Sequence, residues 1–354
     1  MEIKLQLTEQ RKVKPDYNNL GFGNYFTDHM FVMNYTEGQG WHDARIVPYA
    51  PFEIDPAAMC LHYGQEVFEG MKAYKTADGG IKLFRPKKNF ERLNASNDRL
   101  CIPQIDVDFA VKALKELIKV DEEWIPTNDG TSLYIRPFIV ATDPHLGVRV
   151  AKEYIFAIIL SPVGSYYKEG INPVKIWVEN KYVRAVRGGL GQAKAAANYA
   201  ASLKAQVDAY AAGYTQVLWL DGVERKYIEE VGTMNVFFKI NGEYVTPALQ
   251  GSILPGITRM SCIELLKHWG LPIVERPISV DELAEAAENG TLEEAFGSGT
   301  AAVISPIGEL FINNKSVVIN NGEIGETSAK LYKAITDLQY GRSEDVLGWT
   351  EDVK

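Results

Sequence analysis

Cysteine is scarce: the 354 residues hold three, Cys60, Cys101 and Cys262, far apart and without the paired spacing of a zinc site or a disulfide framework. No metal centre is expected, and a reducing cytoplasmic setting fits. The amino-terminal MEIKLQLTEQRKVKPD lacks the apolar core of a signal peptide, and no stretch approaches the ~18 uninterrupted apolar residues of a membrane span. A membrane partner is therefore not expected either. Positive charge is not in excess: 37 Lys and Arg against 46 Asp and Glu leave a formal net charge of −9. Nucleic acid, whose phosphates require a basic face, is excluded as the main partner. Internal repeats and low-complexity segments are also missing.

What is present is an ordinary globular composition, 46% hydrophobic and 23% charged, in a chain longer than one core usually supports. Two domains are expected. EVFEGMKAYKTADGGIKLFR (66–85) reads as two extended runs around a tight turn at Asp78-Gly79-Gly80. From Asp106 to Val120 the apolar residues Phe109, Ala113, Leu114, Leu117 and Ile118 follow a helical period. SLYIRPFIVA (132–141) and EYIFAIILSPVG (153–164) are strand candidates, which makes the first half α+β with segregated helices. The pattern breaks near SYYKEGINP (165–173), a hinge by composition. We place a small domain over 1–166, a linker over 167–178 and a second domain over 179–354. The second opens with the strand VKIWVEN, followed by a helix from about Asn198 to Ala212 before Gly213. Strands QVLWL (216–220) and NVFFKI (235–240), a hairpin turn at Asn241-Gly242, and a helix from about Thr258 to Trp269 follow.

Four stretches are more specific than folding requires. In GQAKAAANYAAS (191–202) a lysine, Lys194, sits among small residues, where partial burial would lower its pKa toward the range of a nucleophilic amine. The alternative is a surface lysine opening an Ala-rich helix. Tyr199 follows by five residues, an offset that brings the two together only if the chain turns between them. In EEVGTMNVFF (229–238), Glu229 and Glu230 would point to opposite faces of a strand, one solvated and one inward, where it needs a cationic partner or a proton. In GSILPGITRMS (251–261), Pro255-Gly256 turns the chain into a helix, whose Ile257 and Thr258 N–H groups and Thr258 hydroxyl would form an anion site. A plain N-cap threonine is the simpler reading. EEAFGSGTAAVISPIG (294–308) offers backbone donors at a Gly-Ser-Gly-Thr turn. A reactive lysine, an inward carboxylate, a phenol and phosphate cradles are together the parts that pyridoxal 5′-phosphate needs.

The chain resembles the branched-chain amino-acid aminotransferases, fold type IV pyridoxal-phosphate enzymes of the class IV aminotransferases. The resemblance covers nearly its whole length: FGNYFTDHM (22–30), LHYGQEVFEGMKAY (61–74), LFRPKKNFERLNAS (83–96), LYIRPF (133–138), LGVRV (146–150), GGLGQAKAAANYAASL (188–203), EEVGTMNVFF, ILPGITR (253–259) and FGSGTAAVISP (296–306). It implies a D-amino-acid aminotransferase-like fold, α+β to α/β, with a small amino-terminal domain, a larger carboxy-terminal domain built on a β-barrel-like core, and the cofactor at the domain interface. It implies Lys194 as the Schiff-base lysine, Tyr199 at the cofactor's phenolic oxygen, Glu230 at its pyridine nitrogen with Thr233 nearby, and Arg92, Ile257, Thr258 and Thr300 at its phosphate. An arginine suits that role because its charged fork can hold phosphate by two bonds.

The implied reaction is a ping-pong exchange of the amino group between L-leucine, L-isoleucine or L-valine and 2-oxoglutarate. Substrate contact is implied for Phe22, Tyr63, Tyr134, Arg136, Thr300 and Ala301, with Leu146 and Val148 reaching over from the second subunit of a homodimer. Because the pocket must take both an apolar side chain and the γ-carboxylate of glutamate, we expect Arg136 or a nearby tyrosine hydroxyl to engage that carboxylate. Equal losses of leucine and glutamate turnover in Arg136→Ala would contradict this. Some animal members carry a Cys-x-x-Cys pair where this chain has Ala302 and Ser305, so no thiol switch is expected there. The rival readings are a D-amino-acid aminotransferase or an aminodeoxychorismate lyase of the same fold, and a non-catalytic ligand-binding protein.

Overall fold

The computed structural model describes residues 1–164 and 171–353. Residues 165–170 of the proposed hinge, with the boundary at 166 and the start of the 167–178 linker, lie outside the described residues. By internal contacts the described chain falls into two units, the first holding 1–164, 193–196 and 337–353, the second 171–192 and 197–336.

The first unit is a mixed sheet with helices on one face. Its elements are β1 (Lys4–Leu5), β2 (His29–Thr36), β3 (Gly40–Pro48), α1 (Met59–Tyr63), β4 (Glu66–Phe68), β5 (Met71–Lys75), β6 (Ile81–Phe84), α2 (Pro86–Arg99), α3 (Val107–Val120), β7 (Ser132–Ala141) and β8 (Glu153–Val163). In space the strands run β1-β3-β2-β8-β7-β5-β6, with β4 also on β7. The expected helix over 106–120 forms because the Asp106 side chain accepts the Phe109 N–H as an N-cap. Its Ala113, Leu114, Leu117 and Ile118 are buried on the sheet with Phe31, Leu133, Ile135 and Leu160. Alternation along β7 does the sorting: Leu133, Ile135, Ile139 and Ala141 enter this core, so Tyr134 and Arg136 leave by the other face.

The second unit contains β9 (Val174–Glu179), α4 (Ala196–Ala211), β10 (Gln216–Leu220), β11 (Ile228–Val231), β12 (Met234–Ile240), β13 (Glu243–Thr246), α5 (Ile257–His268), β14 (Ile273–Glu275), α6 (Val280–Glu288), β15 (Leu292–Gly299), β16 (Val303–Ile312), β17 (Lys315–Val318) and most of α7 (Glu326–Gln339). Strands β11-β10-β9-β16-β15-β12 close into a ring, because β11 pairs with β12 as well as with β10. This is the barrel-like core expected of the second domain. Asn241 and Gly242, at φ +50° and +76°, make the expected hairpin turn between β12 and β13.

Internal contacts group two stretches apart from their sequence neighbours. β18 (Thr350–Asp352) adds to β6 of the first unit, and Ala195 bridges to Val67 there. So the chain's end and the short stretch around Lys194 belong to the first unit, although sequence order puts both in the second half. The Gly-Ser-Gly-Thr turn is also shorter than expected. Gly297, Ser298 and Gly299 complete β15, and the turn is Thr300–Ala302. The glycines serve close packing: a Cβ would come within 2.9 Å of Met234 at Gly297 and 3.0 Å at Gly299.

Candidate active site

In the first unit Lys194 does not open the Ala-rich helix. It precedes α4 in an extended bridge, where its N–H donates to Ser96 Oγ at 2.8 Å and its carbonyl accepts the Phe68 N–H at 3.1 Å. Its ammonium lies 4.9 Å from the centre of the Phe68 ring, and the residue is half-buried. Two backbone bonds thus fix where the flexible stem starts. The chain then turns into α4, which carries Tyr199, half-buried, near its start in the second unit.

Arg92, on α2, is 8% exposed. Its Nε and Nη2 grip the two oxygens of Glu69 at 2.8 Å each, and Asn89 donates to Glu69 at 2.8 Å. On the face of β7 away from the helices, Arg136 Nη2 donates to the Tyr134 hydroxyl at 3.0 Å, and its guanidinium stacks over Phe68 at 4.6 Å. Phe22 meets Tyr134 edge-on at 4.9 Å. Phe22, Phe68, Tyr134, Arg136 and Lys194 therefore form one connected cluster. Tyr63 closes α1 and donates to the Leu146 carbonyl. Leu146 and Val148 stand out into solvent at 66% and 83% exposure.

In the second unit the expected division between Glu229 and Glu230 is wrong, because both are buried, at 5% and 4% exposure. The reason is the segment 252–254, which reaches both: the Ser252 hydroxyl donates to Glu229 and the Leu254 N–H donates to Glu230 at 2.8 Å. The inward carboxylate does have its cation. Arg184 Nε lies 3.3 Å from Glu230 Oε2, too poorly aligned to count as a hydrogen bond, while Nη2 donates to the Ser252 carbonyl. Burial pushes the Glu229 carboxyl up, although the Ser252 hydroxyl and Arg184 pull the other way.

The turn leading into β11 is pinned by Asp221, which accepts N–H bonds from Val223, Glu224, Lys226 and Tyr227. Burial alone would raise this carboxyl, but the four donors outweigh it and hold it at about 2. Gly256 is the N-cap residue of α5, with no side-chain cap, and Thr258 lies inside the helix rather than capping it. The first-turn N–H groups of Ile257 and Thr258 thus stand at an uncapped helix start, and both residues are buried. Thr233 is exposed in the β11–β12 turn, and Thr300 and Ala301 are half-buried in the β15–β16 turn.

Chemically, the first unit offers an amine on an anchored stem beside an aromatic ring, a clamped guanidinium at Arg92, and a second guanidinium at Arg136 stacked on aromatic faces. The second offers a buried carboxylate with its own counter-cation and a helix start able to receive an anion. Sequence reading missed Arg184, Glu69, Asn89 and Asp221. Glu69 stands in a conspicuous motif, but its partner lies 23 residues on. Nothing in KYVRAVRG marks Arg184 rather than Arg187 as the buried one.

The family described as Amino-transferase class IV matches residues 66–310. The chain is 62% identical over 351 residues to Branched-chain-amino-acid aminotransferase 2 of Bacillus subtilis (strain 168), covering 99% of this chain and 97% of that one. Among solved structures it is similar to a branched-chain aminotransferase from the thermophilic archaeon Thermoproteus uzoniensis with norvaline: TM-score 0.76, 28% identity, 92% of this chain and 100% of that one. It is also similar to the T.th. branched-chain amino acid aminotransferase with pyridoxamine 5′-phosphate: TM-score 0.73, 27% identity, 91% of this chain and 98% of that one.

Proposed function

The chain belongs to the class IV aminotransferase family, and from that premise we propose that it is a branched-chain amino-acid aminotransferase. It moves the amino group of L-leucine, L-isoleucine or L-valine to 2-oxoglutarate, reversibly and by a ping-pong route, with pyridoxal 5′-phosphate as cofactor. The observation that carries the reading is Glu230, a buried carboxylate set beside Arg184 and under the Leu254 N–H. A buried ion pair contributes little to stability as such, so its presence points to a functional role for the carboxylate.

The residues fit the cofactor. Glu230 would hold the proton on its ring nitrogen, as a buried carboxylate that can accept that N–H. Arg92, its fork fixed in direction by Glu69, would hold the phosphate with the Ile257 and Thr258 N–H groups and Thr300. Tyr199 would stand at the phenolic oxygen, with Thr233 close to the ring. When bound, pyridoxal 5′-phosphate supplies a carbonyl that takes up amino groups and a ring that accepts the electron pair released at Cα. Lys194 moves the proton from the substrate Cα, a task for a nucleophilic amine on a flexible stem whose base is fixed. Phe22, Tyr134 and Phe68 give the substrate side chain its apolar walls, with the Thr300-Ala301 turn supplying backbone donors.

Leu146 and Val148 lie on exposed surface, which supports the reading that they are lent to the active site of a second subunit, and we take the protein to be a homodimer. No described helix is long and apolar enough to cross a membrane. We take the enzyme to work in the cytoplasm.

Absorption spectroscopy of the purified protein tests the reading. The visible band of the bound cofactor should bleach with L-leucine and return with 2-oxoglutarate, while D-alanine in a parallel cuvette leaves it unchanged. Bleaching by D-alanine alone would favour a D-amino-acid aminotransferase. No band after cofactor addition would defeat the catalytic reading altogether.

A further inference from the structure

The face of the first sheet that carries Tyr134 also carries buried polar side chains to which the roles above assign nothing. Lys72 on β5, Tyr134 on β7 and Ser161 on β8 are direct register partners, so the three side chains leave the sheet on the same side. Two residues further along β7, Arg136 stands on that side as well, bonded to the Tyr134 hydroxyl. Lys72 is 8% and Ser161 4% exposed.

Two buried polar atoms here, Arg136 Nε and Ser161 Oγ, lack a hydrogen-bond partner among the described residues. Native proteins seldom leave such atoms orphaned, and each calls for an explanation, of which a bound polar group is one. Burial also pushes the Lys72 ammonium down to about 8, and an incoming anion would reverse that. A Cβ on Gly70 would lie 2.2 Å from the Tyr134 hydroxyl. The phenol therefore leans over Gly70 toward Arg136, away from the row that joins Lys72 to Ser161.

We propose that Lys72 and Ser161 complete, with Tyr134 and Arg136, the seat for the side-chain carboxylate of the acidic partner, glutamate or 2-oxoglutarate. Lys72 thereby sets how well the enzyme takes acidic against branched aliphatic substrates. The proposal rests on the aminotransferase reading above. A leucine side chain is received by the aromatic walls and makes no demand on the ammonium. A γ-carboxylate needs a second cation, because one guanidinium already shared with a phenol compensates a buried anion poorly.

The test follows the two half-reactions separately by stopped-flow absorbance: L-leucine with the pyridoxal form and 2-oxoglutarate with the pyridoxamine form. In Lys72→Met, the ratio of kcat/KM for leucine over that for 2-oxoglutarate should rise about tenfold or more, through weaker 2-oxoglutarate binding, and Lys72→Arg should restore most of it. Glutarate, an unreactive dicarboxylate, should raise the melting temperature of the wild type and fail to raise that of Lys72→Met. An unchanged ratio, an equal fall in both half-reactions, or undiminished stabilisation by glutarate would overturn the proposal. Should Lys72→Met not fold, Lys72→Gln and Ser161→Ala carry the same ratio test. A wild type that does not react with leucine would instead defeat the functional reading.

Discussion

The two units each bury a glutamate beside an arginine, and they do so differently. In the first, Arg92 grips Glu69 with two parallel bonds of 2.8 Å while Asn89 adds a third, so the carboxylate is committed to holding the guanidinium in place. In the second, Arg184 meets Glu230 at 3.3 Å without the alignment of a hydrogen bond, and Arg184 has backbone acceptors of its own at Ser252 and Gly191. A fully bonded pair orients its arginine for something else. A loosely held pair leaves the carboxylate less committed to its arginine and able to serve a third group. Buried ion pairs are weak stabilisers as such, so the contrast bears on role more than on strength.

The largest effect expected from this contrast lies in the tight pair. Glu69→Gln leaves the Arg92 charge buried without its counter-ion, and the protein should lose about 3–5 kcal/mol of stability, measured by denaturant unfolding. A loss no greater than that of Glu230→Gln would erase the distinction.

Next, Glu230→Gln should fold and melt close to the wild type, because Arg184 keeps its carbonyl partners, yet kcat should fall about 10²–10³-fold in steady-state assays. Near-normal turnover would remove Glu230 from the chemistry.

A smaller effect sharpens how the loose pair is positioned. Asp221 is held at about 2 against an ordinary value of 3.8 by the four N–H donors of the turn before β11. The depressed folded value means that its stabilisation is present above pH ~4 and is lost as pH falls toward 2. Asp221→Asn should therefore cost about 1–2 kcal/mol at pH 7, with the gap from wild type closing in acid. A constant gap across that window would show that the carboxylate charge is not what holds the turn.

Local signals carried far. The helical period of α3, the strand run 132–141 of β7, and the Asn241-Gly242 turn each state their structure within a few residues, and each forms as read. The candidate site was legible as chemistry, through a lysine among small residues, the adjacent carboxylates and the Pro-Gly helix start. The surroundings of those groups were not. One of Glu229 and Glu230 was expected to be solvated because alternation was applied to β11 as though one of its faces met water, whereas the segment 252–254 reaches both carboxylates.

By itself the sequence determined most of the elements and the family resemblance, and it singled out the candidate site residues, because turns and periodicity act over one or two helical turns of chain. Only the tertiary structure decided which unit receives Lys194, which arginine stands beside Glu230, and that Lys72, Tyr134 and Ser161 form one row. Pairings of that kind depend on strand register and ring closure between segments far apart in the chain, and no local pattern encodes the partner of a buried charge.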